Sequence, residues 1–303
     1  MMSRRTLAHL LLLGTVVVWG ATFTLVKSAL ADASPLLFNL LRMALATVVL
    51  AVVNHRQLRG ITRAHLKAGV LAGIFLALGY QFQTAGLART SAAKSAFITG
   101  LVVVFVPLLT LVPAFRPAAT KRPGLAASIG AVCAFAGLFL ITTPPGTGLA
   151  NLGTGIGAGD LLTLVCALAF AAHLLTLARF SPGMSSGVLA TLQIGFATVT
   201  MLLTVPLEHP HAAFTPRLII ALAVCSVLAT AAAFTIQSFA QQVLPPTHTV
   251  VILTLEPVFA WLTALVFLHE ALDRRSLAGA ALILAGIAVV ELLPGAKSTE
   301  IPA

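Results

Sequence analysis

The sequence predicts an all-α integral membrane protein of ten transmembrane helices in two inverted five-helix repeats. Three observations carry this. The 303 residues are 59% hydrophobic and 9% charged, with a mean hydropathy of +1.04, whereas a soluble domain carries roughly a quarter charged residues. Apolar runs of about 20 residues, the length that crosses a bilayer, recur along the whole chain. The 18 Lys and Arg residues fall almost entirely in the short connections between those runs. A water-soluble enzyme and a disordered chain are both excluded. The net charge of +10 is a signal of membrane orientation, and nucleic acid is not an expected partner.

The runs lie near 7–31, 35–53, 66–88, 93–114, 124–142, 158–179, 186–206, 216–240, 246–268 and 275–293. Short connections take up the remainder, with no room for a soluble domain. The longest connection, 143–157, is uncharged and rich in Gly, Pro and Thr, and reads as a linker. It divides the chain into a first repeat (1–143), a linker (144–157) and a second repeat (158–303). The first run follows Arg4 and Arg5 and ends on Ala31-Asp32-Ala33, which has the outline of a signal peptide. Its apolar core is too long for one and nine more runs follow, so it is expected to stay as a span. Cys133, Cys166 and Cys225 all lie inside apolar runs. Without metal or disulfide spacing they are packing residues, and no cofactor is expected.

Orientation follows from the bases. With the N-terminus cytoplasmic, the inside segments hold eleven (Arg4, Arg5, Arg56, Arg59, Arg63, Lys67, Arg116, Lys121, Arg122, Arg179, Lys297). The outside segments hold five (Arg89, Lys94, Arg217, Arg274, Arg275), and Lys27 and Arg42 lie within spans. Both termini are therefore expected in the cytoplasm of a bacterial-type inner membrane. Five spans is an odd number, so the second half must enter the membrane upside down relative to the first. A weak internal repeat agrees. Arg89–Ala92 aligns with 243–246, Phe97–Phe105 with 251–259, and Arg116 with Glu270, in order and without a gap. After a short insertion Ala136-Gly137 meets Ala285-Gly286.

Taken in order, the spans carry these polar and aromatic groups. In the first, Trp19 lies away from the interfaces where tryptophan usually sits, as a wall for an apolar ligand or as core packing. Lys27 follows on the same helix, about 12 Å along the axis, to attract an anion or to snorkel toward headgroups. Arg42 in the second span is about 10 Å deep and needs a partner, whether carboxylate, carbonyls or a substrate anion. Tyr80, Gln81 and Gln83 in the third, His173 in the sixth, Gln193 in the seventh and Gln237 in the eighth give a polar-lined interior, although each suits a bond to a neighbouring helix equally well. Glu256 sits near the middle of the ninth span and directly precedes Pro257, whose ring and missing N–H loosen the helix. It reads as a proton- or cation-binding carboxyl facing a cavity, or as a neutral acid bonded to a neighbouring helix. Gly69/Gly73, Gly130/Gly137 and Gly279/Gly286 suit close helix packing, and the last two pairs also suit a dimer face. A monomer and a homodimer both remain open.

Several of these residues resemble a known family. Val17–Phe23 with Lys27, Phe38–Arg42, Ala92–Leu101, and Leu255–Ala260 followed by Leu268-His269-Glu270 and Gly279–Gly286 are similar to EamA-type permeases of the drug/metabolite transporter superfamily. The resemblance covers essentially the whole chain. It implies ten helices, cytoplasmic termini and a central cavity between the repeats. It departs at Arg116, where the family usually repeats the acid seen at Glu270, and in the longer loop after it.

Two enzyme-like patterns fail on chemistry. Gly157-Ala158-Gly159-Asp160 spells an intramembrane aspartyl protease motif, but Asp32 and Asp273 lie at span ends, too far to share a proton with Asp160. Asp160 suits the first turn of a helix. Gly183–Gly187 spells G-x-S-x-G without the strand that a nucleophile elbow requires. The expectation is a secondary active transporter and no enzyme. It would export small metabolites or amino acids by alternating access, driven by a proton or solute gradient. A lipid flippase or scramblase of the same fold is the alternative. The expected substrate and coupling residues are Glu256, Trp19, Arg42, Lys27, Tyr80, Gln83, His173 and Gln237.

Overall fold

The computed structural model describes residues 3–115, 125–142, 156–244, 249, 252–253 and 255–292. The named elements there are helices and short turns. They are α1 (Arg4–Ala29), α2 (Pro35–Asn54), α3 (Arg63–Leu87), α4 (Ala92–Thr99), α5 (Val102–Leu109), α6 (Leu125–Thr142), α7 (Ala158–Phe180), α8 (Ser186–Thr204), α9 (Pro216–Ser226), α10 (Ala233–Val243), α11 (Glu256–Phe267) and α12 (Arg274–Leu292). Local chemistry sets their starts. Ser3 and Thr62 accept from the third residue after them, Pro35 and Pro216 open their helices, and Asp160 accepts from Gly157 N at 2.9 Å. Each device satisfies backbone N–H groups that a helix start leaves free, or omits one.

Among the described residues, seven helical stretches are long and apolar enough to cross a membrane: Arg4–Ala29, Pro35–Asn54, Arg63–Leu87, Ala92–Leu109, Ala158–Phe180, Ser186–Leu207 and Pro216–Val243. Helices α6, α11 and α12 fall in the other three expected ranges. The expected linker, apart from Ile156 and Gly157, lies outside the described residues, as do Arg116, Lys121, Arg122 and Lys297. Large apolar side chains cover the outside: Val52, Val53, Leu203 and Val266 are all more than 60% exposed. Such a surface is stable only against lipid or protein.

Three spans are not the continuous helices the sequence suggests. The fourth is interrupted between α4 and α5, where Leu101 N bonds to Ile98 O and Val103 N to Gly100 O, tightening the turn. Gly100 is needed there, because a Cβ on it would lie 2.9 Å from Pro257 Cγ. The eighth contains one π-helical stretch, Val227–Ala232, between α9 and α10. In the ninth, helix α11 starts at Glu256 with Leu255 as its N-cap and Pro257 in its first turn. Under the internal alignment Val102 and Glu256 are equivalent, so α5 and α11 begin at the same register.

The packing joins the two halves throughout. Helix α6 lies along α12, α3 packs on α7 and α8, α2 on α8 and α9, α1 on α11 and α10, and α4 and α5 on α7. Small residues allow the closest approaches. A Cβ on Gly73 would meet Gln193 O at 2.7 Å, and one on Gly20 would meet Phe259 Cβ at 2.6 Å. Gly137 and Gly279 face each other, a Cβ on either meeting the other's carbonyl within 2.6 Å. At those two glycines, the face that also suited a dimer is filled from within the chain.

Candidate functional site

Where α1, α2, α3, α4 and α5 meet α7, α10 and α11, the helices leave a cavity of about 860 Å³, open solvent included. Trp19, Arg42, Tyr80, Gln83, His173, Gln237 and Glu256 all line it. Residues from six separate spans, chosen for polarity at depth, are thus neighbours. Lys27 is not among the lining residues. Its ammonium donates to Leu87 O and Thr90 O, both at 2.7 Å, and so satisfies carbonyls at the end of α3.

Arg42 is 3% exposed and is held by neutral groups. Its Nε donates to Thr230 Oγ1 at 2.8 Å, and Nη2 donates to Tyr80 Oη at 3.1 Å and Ala229 O at 3.3 Å. The guanidinium lies over the Tyr80 ring, 4.3 Å from its centroid, a stacking that adds attraction to the bonds. Ala229 and Thr230 both belong to the π-helical stretch. The Ala229 carbonyl also accepts from Trp19 Nε1 at 2.8 Å. An irregular turn in the eighth span therefore fixes two lining side chains from the opposite half, a recurrent use of π-bulges.

An aromatic cluster forms much of the wall. The Phe234 ring stands 5.4 Å from Trp19, 6.1 Å from Tyr80 and 5.7 Å from His173, while Tyr80 meets Phe170 edge-on at 5.2 Å. These separations suit offset or edge-to-face pairs. His173 is bonded through Nε2 to Gln193 Oε1 at 2.7 Å, and Gln193 Nε2 donates to Ser238 Oγ at 3.2 Å. Gln81 is bonded to Asn39 and Thr204. The histidine, Gln81 and Gln193 thus act between helices, as their residue types allowed.

Glu256 differs from the other acids. Among the described residues, Asp160 pairs with Lys94 at 2.7 Å, Asp32 pairs with Arg217 at 2.7 Å, Glu208 accepts from Leu37 N, Glu270 accepts from Ala92 N and Ala93 N, and Asp273 accepts from Ser276 N. The half-buried Glu256 carboxyl accepts no hydrogen bond from any described residue. Gln83 is likewise unbonded there, and Gln237 Oε1 is buried without a donor. Among the described residues, no bond ties Glu256 to a neighbouring helix. All three aspartates of the described residues are bonded to other partners, with no two of them to each other.

Lys27, Thr90, Lys94, Asp160 and Glu270 gather at the end of the bundle where α1 and α3 finish. Thr90 Oγ1 donates to Asp160 Oδ1 at 3.1 Å. Every ion pair or cap here between α4 and α7 or the end of α11 crosses from one half of the chain to the other. Asp32, in the α1–α2 connection, accepts from Arg217 Nε and Nη2, both at 2.7 Å, and from Thr215 at 2.6 Å. The Arg217 bonds are the largest cause holding the Asp32 carboxyl at about 2.

Sequence reasoning missed Phe170 and Phe234, which are two of 17 phenylalanines in uniformly apolar runs. It also missed Thr22, Thr84 and Thr99 on the wall, because threonine is ordinary in membrane helices. Nothing in VLATAA marks the π-helical stretch.

Comparison with known proteins agrees with this architecture. The EamA-like transporter family model matches twice, over residues 6–143 and 157–292. An uncharacterized transporter of Archaeoglobus fulgidus is 31% identical over 95% of this chain and 87% of its own length. The uncharacterized transporter YoaV of Bacillus subtilis is 25% identical over 52% of this chain and 53% of its own. A solved crystal structure at 19% identity superposes with a TM-score of 0.66, covering 94% of this chain and 96% of that one. The family match and the apolar helices make this a multi-pass membrane transporter with a small-molecule substrate. The chain belongs to the EamA-like transporter family.

Proposed function

We propose that this chain is a secondary active exporter of small metabolites or amino acids in a bacterial-type inner membrane, working by alternating access. In this reading ten helices form two inverted repeats, 1–143 and 158–303, with both termini cytoplasmic. The carrying observation is the cavity at the junction of the halves, lined from both and bordered by two helix starts, Val102 and Glu256, at equivalent register. Broken helices at a repeat interface are how many secondary transporters expose polar groups at mid-membrane depth. The contacts support the same symmetry. Exchanging the halves turns the packing of α3 on α7 into that of α9 and α10 on α1, and the packing of α5 on α7 into that of α1 on α11.

Glu256 is the coupling carboxyl in this reading, with Trp19, Tyr80, Gln83, His173 and Gln237 shaping the substrate space and Arg42 supplying charge. Lys27 acts outside the cavity, at the end of the bundle. A carboxyl free of hydrogen bonds at a cavity wall exchanges its proton as solvent access changes, which links proton movement to the conformational cycle. The experiment is uptake into proteoliposomes under an imposed proton gradient. Glu256→Gln preserves shape but cannot release a proton. It is expected to fold, to retain substrate exchange, and to lose gradient-driven accumulation by at least about tenfold. Accumulation equal to the parent would remove Glu256 from coupling.

A further inference from the structure

Arg42 is fixed but not neutralised. A guanidinium keeps its charge at any physiological pH and offers five N–H donors. Three bonds, to Thr230, Tyr80 and Ala229, use Nε and Nη2. No described residue accepts from Nη1, and Nη1 is not sealed in the interior as an orphan atom. Arg42 lines the cavity, so that nitrogen is available to its contents. The two ion pairs among the described residues, Lys94–Asp160 and Arg217–Asp32, do not involve it. A buried cation held only by neutral dipoles gains strongly from an anion brought to its free edge.

The rest of the wall restricts which anion fits. Trp19, Tyr80, Phe170 and Phe234 give an apolar, largely aromatic surface. One free nitrogen is a poor match for a doubly charged, strongly hydrated phosphate. It is a good match for a single carboxylate whose body lies on the rings.

We propose that the cavity binds small carboxylates with an apolar or aromatic body, the carboxylate seated on Arg42 Nη1. This rests on the transporter reading for its purpose, but the binding site stands apart from transport. The shared chemistry has two sources, a simple carboxylic acid or a zwitterion whose ammonium group meets the unbonded Glu256 carboxyl.

Trp19 provides the readout, because the chain has two tryptophans and the other, Trp261, has a buried Nε1 without a partner. Trp261→Phe therefore removes no hydrogen bond and leaves Trp19 as the only tryptophan. In purified full-length protein of this background, Trp19 emission is titrated with 3-phenylpropanoate, its amide, 3-phenylpropylamine and phenylalanine. The expected result is binding of the carboxylate at least tenfold tighter than of the amide or the amine. Arg42→Gln should abolish that preference and Arg42→Lys should retain part of it. Glu256→Gln should weaken phenylalanine alone if the zwitterion is the natural class, and leave both carboxylates equal if it is not. Should Arg42→Gln fail to fold, the parent's selectivity and Arg42→Lys still decide. An amine or amide that binds as well as the carboxylate, a preference that survives Arg42→Gln, or no response of Trp19 to any probe overturns the proposal. A chain that binds carboxylates but moves no solute in proteoliposomes keeps the subsite and loses the transport reading. One that transports without the preference loses only the subsite.

Discussion

At the scale of single residues, the described acids are almost always matched. Five described acids hold a base or a helix N-terminus, and Glu256 holds neither. Asp32 shows what a matched acid does for stability. Its carboxyl is held at about 2, mainly by Arg217, below the usual value near 3.9. A group whose folded-state value is depressed stabilises the fold above its unfolded value, and that contribution is lost as the pH falls through the folded one. The parent should therefore melt at a higher temperature than Asp32→Asn at pH 5. The gap should shrink steadily between about pH 4 and pH 2. A gap independent of pH across that window would show that the ion pair does not carry the difference. Residue type predicted this only in part. Depth in an apolar run singled out Glu256 and Arg42, but only coordinates distinguish an unbonded carboxyl from one tied to a neighbour.

At the scale of helices, breaks matter more than spans. Pro257 in an apolar run signals a loosened ninth helix, and the helix begins one residue before it. The matching break at Gly100 is harder to see, because glycine is common in membrane helices and its function here lies in another segment. A Cβ there would press on Pro257 Cγ at 2.9 Å, so the two breaks fit against each other. Gly100→Ala should destabilise the protein by about 1–3 kcal/mol, the usual range for overpacking. Pro257→Ala should relieve much of that loss in the double variant, measured as a positive coupling in thermal unfolding. Strictly additive effects would mean that the breaks do not touch in solution. The π-helical stretch was not legible at all. Its residues are all apolar or small apart from Thr230, and its consequence, a carbonyl shared by Trp19 and Arg42, depends on partners far away in sequence.

At the scale of the whole molecule, composition and the length of the apolar runs identified the membrane class because a bilayer admits few solutions. Seven of the ten expected spans coincide with helices of sufficient length and apolarity among the described residues. Orientation rests on the distribution of bases and is open to direct test. A reporter fused after Ala303 should be active in the cytoplasm, and one inserted within 144–153 should report the opposite side, since eleven of sixteen loop bases favour that arrangement. The same side for both would contradict the inverted repeat. The substrate was not legible, because it depends on which side chains from six spans share one wall.

The central claim is that this cavity opens to each side of the membrane in turn. Gln83 tests it, being half-buried, on the wall and unbonded among the described residues. In a background with Cys133, Cys166 and Cys225 replaced by alanine, Gln83→Cys is exposed to a membrane-impermeant thiol reagent in sealed vesicles of both orientations. Alternating access predicts labelling from either side, with saturating ligand changing the ratio of the two rates. Labelling from one side alone, whatever the ligand and the time, would contradict it.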